Sequence, residues 1–125
     1  MANPNIVNVT SILGTTTYLT PANTTANTLL SNAASSGLVF KINQIVCANV
    51  NGASAVNTTV SINSAAAGAG TDFPVISTVS VPASASVIAV DKTTSIYLME
   101  NSSIVVTSGT SSGITYSLSY ESIAA

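Results

Sequence analysis

"ITYSLSYESI", residues 114–123, is the stretch whose reading decides the fold. Ile114, Tyr116, Leu118 and Tyr120 fall on one side of an extended chain, and Thr115, Ser117, Ser119 and Glu121 fall on the other. A period of two is that of a β-strand with one buried face. The outward side carries hydroxyls where a soluble sheet commonly carries Lys and Glu.

Working outward, the same pattern recurs at short intervals, broken by clusters of Gly, Asn, Ser and Pro. A first strand is expected at Ile6 to Thr10. A second is expected in "GTTTYLT" (14–20), closed by Pro21. "ANTTANTLLSNAASSG" (22–37) reads as a loop holding a short strand at Thr28 to Ser31. "LVFKINQIVCANV" (38–50) is the longest strand, with Phe40, Ile42, Val46, Ala48 and Val50 on one face. Lys41, Asn43, Ile45, Cys47 and Asn49 take the other, and a strand of this length is expected to bend or bulge.

The "NGAS" turn (51–54) then joins it to "VNTTVSIN" (56–63), and the two strands read as an antiparallel hairpin. "SAAAGAGTDF" (64–73) has little to bury and reads as a flexible, exposed loop. "PVISTVSV", "SVIAV", "SIYLM", "IVVTS" and the opening decapeptide supply the remaining strands. No linker, charge run or repeat divides the chain. The expectation is all-β: one antiparallel β-sandwich over residues 1–125, jelly-roll-like or Ig-like, with about eight or nine strands. Residues 1–10 serve as an N-terminal arm or an edge strand.

Composition excludes several functions. The charged residues are Lys41, Lys92, Asp72, Asp91, Glu100 and Glu121, for a net charge of −2. Binding a phosphate backbone takes many Lys and Arg, so nucleic acid is not an expected partner. An anionic membrane surface is excluded on the same ground. Mean hydropathy is +0.54, yet the longest apolar stretches are far shorter than the roughly 20 residues of a spanning helix. "MANPNIVNVT" has neither a basic nor an apolar leader region, so synthesis in the cytoplasm without a signal peptide is expected.

Little chemistry is on offer. With no His in the chain, neither a Ser-His-Asp triad nor an ordinary zinc site can form, and no cofactor is expected. Cys47, in the apolar run "QIVCANV", reads as a small buried hydrophobe. Asp91 and Glu100 flank one predicted strand, roughly 20 Å or more apart at ~3.3 Å per residue, too far for a catalytic pair. Asp91 is instead expected to anchor the "DKTT" turn through its side chain. Glu100 is expected to solvate the next turn and Glu121 an edge strand. Lys41 is expected to guard an edge or pair across an interface. Tyr18 and Tyr97 are candidates for a sugar platform, set against ordinary packing in the core or on a sheet face. Sequons at Asn8, Asn23, Asn57 and Asn101 number what chance gives in a chain this rich in Asn, Ser and Thr.

Several stretches together resemble a known family. "MANPNIVNVTSI", "INQIVCANVNGASAVNTTVSI", "VPASASVIAVDKTTSIYLMENSSIVVTS" and "ITYSLSYESIA" are similar to small virion structural proteins of tailed bacteriophages, in particular those of marine phages infecting cyanobacteria. The matching positions are Val81 to Ala83, Asp91 to Leu98, Glu100, Ile104 to Thr107, and Ser119 to Glu121. The "MENSS" turn departs from the pattern by lacking a Gly-Asp pair. The resemblance implies a non-enzymatic virion part, with a capsid decoration (cement) protein bridging major capsid subunits as the leading expectation. A tail, collar or fibre component and a non-viral β-sandwich binding module are the alternatives. The implied partners are further copies of itself, as a trimer in many decoration proteins, and the major capsid protein or another virion protein. Contacts are expected from the arm, through Asn3, Asn5, Ile6 and Val7, and from the Ala/Gly loop, through Ala66, Gly68, Gly70 and Asp72.

Overall fold

The structure, a computed structural model, describes residues 4–124. Its strands are β1 (Ser11–Leu19), β2 (Asn27–Asn32), β3 (Leu38–Asn49), β4 (Val56–Asn63), β5 (Asp72–Val81), β6 (Ser86–Val90), β7 (Ile96–Leu98), β8 (Ser102–Ser108) and β9 (Ile114–Ala124). One 3-10 turn, Lys92–Thr94, precedes β7.

The pairing explains the architecture. β4 runs antiparallel to β5, β3 to β6, β2 to β8 and β1 to β9. The chain is therefore one long hairpin whose tip is the β4–β5 loop. Rolling that hairpin up sets β9 beside β3 and β8 beside β4. Two sheets result, ordered β1-β9-β3-β6 and β2-β8-β4-β5, with the short β7 also on β3. This is the jelly-roll order, which separates the two expected sandwich types. Ile42, Ile45, Cys47, Leu98, Ile114, Tyr116 and Leu118 from the first sheet meet Val56, Val60, Ile104 and Val106 from the second. Each such buried aliphatic side chain contributes about 1.5–3 kcal/mol by leaving water.

Simple alternation fails along β3. Phe40 and Ile42 point inward as expected, but the register against β9 shifts between Ile42 and Gln44. The extra residue of this bulge inverts the phase, so Ile45, Cys47 and Asn49 turn inward while Val46 and Ala48 turn outward. The expected β3–β4 hairpin does not form either. β3 and β4 lie in opposite sheets, and "NGAS" is the corner between them. Residues 4–10 form no strand; the first strand begins at Ser11 and runs straight through Gly14. Lys41 and Glu121 are not on edges: they stand opposite each other on the interior strands β3 and β9.

Three buried asparagines organise the turns. Asn32, Asn49 and Asn63 each end a strand, and each is almost fully buried. Asn32 Nδ2 donates to the carbonyls of Leu38 (3.0 Å) and Leu98 (3.1 Å). Asn49 Nδ2 donates to those of Ser54 (3.0 Å) and Val81 (2.9 Å), while its Oδ1 accepts from Asn51 N (2.8 Å). Asn63 Oδ1 accepts from Ala65 N and Gly70 N, both at 2.9 Å. A neutral amide supplies donors and an acceptor to buried backbone groups without the desolvation cost of a charge. Part of the chain's uncharged polarity thus serves the inside of the fold.

Candidate functional site

The residues singled out for contact fall into two segments far apart in sequence, and the fold brings both to one end of the sandwich. Asn3 lies outside the described residues. Asn5 opens a turn in which its Oδ1 accepts from Val7 N (3.0 Å) and its carbonyl from Asn8 N (3.1 Å). The chain then joins β1, with Thr10 N donating to the Ala124 carbonyl at 2.8 Å. The turn sets Ile6 over the outer face of the first sheet. There, Pro4, Ile6, Tyr97 and Met99 surround Val39 in an apolar groove of about 320 Å³. Val39 lies on the outward side of β3 yet is only 3% exposed. The rims are not covered: Ile6, Tyr97 and Met99 are about half exposed and Val7 is 91% exposed.

The β4–β5 loop does the corresponding thing on the second sheet. It folds back over the outward side chains Ser103 and Val105, which are buried as a result. Ser103 Oγ donates to the Ala65 carbonyl (2.7 Å), Ser31 Oγ to that of Ala66, and Ala66 N to Asn101 Oδ1 (3.4 Å). Ala66 and Gly68 are half-buried, Gly70 and Asp72 exposed. Asp72 Oδ1 accepts from Asn63 Nδ2 at 2.6 Å. The loop is therefore fastened, where composition alone reads as flexible. Its glycines have steric reasons. Gly68 sits at φ +76°, and a Cβ there would lie 3.0 Å from Thr28 Oγ1. At Gly70 a Cβ would lie 2.9 Å from Ala65 N.

The turn after β7 touches both segments. Met99 lines the arm's groove and Asn101 holds Ala66 N. Arm, turn and loop thus form one continuous end surface. Sequence reading missed Tyr97 and Met99 as parts of it. Their only signal is that "SIYLM" sets two large apolar residues on the odd positions, outside the core phase.

A second exposed feature is β1 itself. It is uncharged, and Ile12, Leu13 and Tyr18 are 54%, 62% and 76% exposed. Its register with β9 is unbroken over nine residues. Among the described residues no strand pairs its other side.

The remaining carboxylates are engaged in the fold. Asp91 Oδ1 caps the 3-10 turn, accepting from Thr93 N (2.9 Å) and Thr94 N (3.2 Å); Thr93 holds its carboxyl below the usual carboxylate range. Glu100 Oε1 accepts from Gly37 N (3.0 Å), tying down the β2–β3 turn. Glu121 Oε1 accepts from Asn43 Nδ2 (3.4 Å). Cys47 is fully buried, and burial pushes its thiol up to about 11. Tyr18 and Tyr97 both lie on the outer sheet face, not in the core. Among the described residues no three of His, Cys, Asp and Glu gather where they would hold a metal ion, and no helix is long and apolar enough to cross a membrane. Comparison of the chain with family models, with curated proteins and with solved structures gave no match.

Proposed function

We propose that this protein is a non-enzymatic structural subunit of a tailed-phage virion, and specifically a capsid decoration protein that bridges neighbouring major capsid subunits. The observation that carries the reading is the end surface made by the arm, the Met99–Asn101 turn and the β4–β5 loop. It is apolar at its groove and built on the end of the sandwich, and its charged side chains are Asp72 in the loop and Glu100 in the turn. A nearly neutral surface is poor for colloidal solubility, which matters less in a part whose surface is covered in an assembly. Amides and hydroxyls also pair across an interface at lower desolvation cost than ions. On a lattice, many modest contacts combine by avidity. The resemblance noted in the sequence favours the virion, and jelly rolls are common in capsid components, which is support by analogy.

The test is to delete residues 1–10 and add the protein to particles stripped of it. The truncated protein should fold and fail to bind. Binding equal to that of the full chain would remove the arm from the mechanism. A tail or fibre position keeps the structural class. A sugar-binding module is the second reading, favoured by the exposure of Tyr18 and Tyr97. It requires saturable glycan binding that is lost in Tyr18→Ala or Tyr97→Ala.

A further inference from the structure

We infer that β1 is an assembly edge: two copies of this chain join their β1 strands antiparallel about a two-fold axis at Thr15, making one continuous sheet. This goes beyond the virion reading and does not depend on it.

The first observation is that the other sheet edges are blunted and β1 is not. A free edge presents unpaired N–H and C=O groups to any extended chain, and proteins interrupt such edges with Pro, charges, bulges or covering segments. β5 carries Pro74, two register shifts and Thr78 at φ +50°. β6 is five residues long, with a shift in its pairing to β3. β2 has a shift at Leu29 and the β4–β5 loop fastened to its Ser31. β1 has none of these devices along "SILGTTTYL". Pro4 and Ile6 of the arm that precedes it lie over Val39, and among the described residues no strand pairs with the edge.

The second observation is that the strand complements itself. Opposed residues share a face, and the pairing with β9 places Ile12, Gly14, Thr16 and Tyr18 on the outer side. With Thr15 facing its own copy, Ile12 of one chain stands opposite Tyr18 of the other. Leu13 meets Thr17, and Gly14 meets Thr16. The exposed β-branched and aromatic side chains are thus paired, a favourable combination across strands. A two-fold axis sets any charge near it against its own twin, and β1 carries none. The closest acid in register is Glu121, opposite Gly14 on the next strand. Three strand spacings separate it from its twin, about 14 Å, more than a Debye length at physiological salt.

The experiment is sedimentation equilibrium on the full chain and on Thr15→Lys, Thr15→Glu and their equimolar mixture. Thr15 is exposed, so circular dichroism and melting should show both variants folded. The wild type should dimerise. Each variant alone should weaken the dimer by about tenfold or more, and the mixture should restore it, because only this axis brings position 15 against itself. Tyr18→Ala, which removes the pair with Ile12, should weaken the dimer several-fold and serves if the Thr15 variants fail to fold. A monomeric wild type at about 100 µM, a trimer or open polymer, or a dimer indifferent to these substitutions would overturn the proposal.

Discussion

Tyr116 and Thr58 meet in the core across the two sheets, with the phenol oxygen 2.5 Å from Thr58 Oγ1. Tyr116 also donates its proton to the Thr107 carbonyl at 2.8 Å, so the Thr58 hydroxyl is the donor in the first bond. The one fully buried tyrosine thus bridges β9 to β4 and β8 and fixes how the sheets stack. Tyr116→Phe keeps the ring and strands two buried polar groups. It should cost about 1–3 kcal/mol in urea unfolding. Thr58→Val added to it should cost less than the sum of the single changes.

The same cluster predicts alkaline sensitivity. Burial raises the Tyr116 phenol from 10.0 to about 12 and the Cys47 thiol from 9.0 to about 11, each offset in part by the Thr58 hydroxyl. Both groups are held neutral in the fold and ionise more easily when it opens. Their contribution is therefore complete below pH 9 and is lost as pH rises through about 11 and 12. The urea midpoint should fall steadily over that window. At pH 8 a thiol reagent should label Cys47 only as fast as the chain unfolds.

Asn63 should matter more than its polar character implies. Asn63→Leu leaves Ala65 N and Gly70 N without their acceptor and frees the hairpin tip. A loss of about 2–4 kcal/mol is expected, with proteolysis appearing first in residues 64–71. Gly70→Ala should act in the same direction by about 1–3 kcal/mol, because its Cβ crowds Ala65 N and the Ser64 hydroxyl.

Substitutions in the arm groove should separate binding from stability. Ile6 and Met99 are half exposed, so Ile6→Ser and Met99→Ser should change stability by less than about 1 kcal/mol. Each should reduce binding to stripped particles, measured by co-sedimentation.

Much of the fold was legible because the strands alternate strongly. "VNTTVSIN" is β4 residue for residue, and Asp91 caps its turn as its position in "DKTT" implies. The failures have one physical origin: pairing partners lie far away in sequence. A turn signal such as "NGAS" serves equally for a hairpin and for a corner between sheets, and the choice was made by β9 taking the place beside β3. The bulge at Ile42–Gln44 depends on that same distant strand. Lys41 and Glu121 looked like edge guards because no local feature tells an edge from an interior strand. The two candidate segments were singled out one by one, as the polar arm and as the Ala/Gly run. Their meeting at Met99–Asn101 follows only from the rolled hairpin. The roles of Asn32, Asn49 and Asn63 had no signal in the sequence, because burial at a strand end leaves no trace in hydropathy.

The most direct test of the central claim is a cryo-EM map of purified particles from the source, searched for this 125-residue jelly roll. The account predicts its density at the junctions between capsomers, with the arm and the β4–β5 loop against the coat. Particles without that density, together with purified protein that does not bind them, would contradict it.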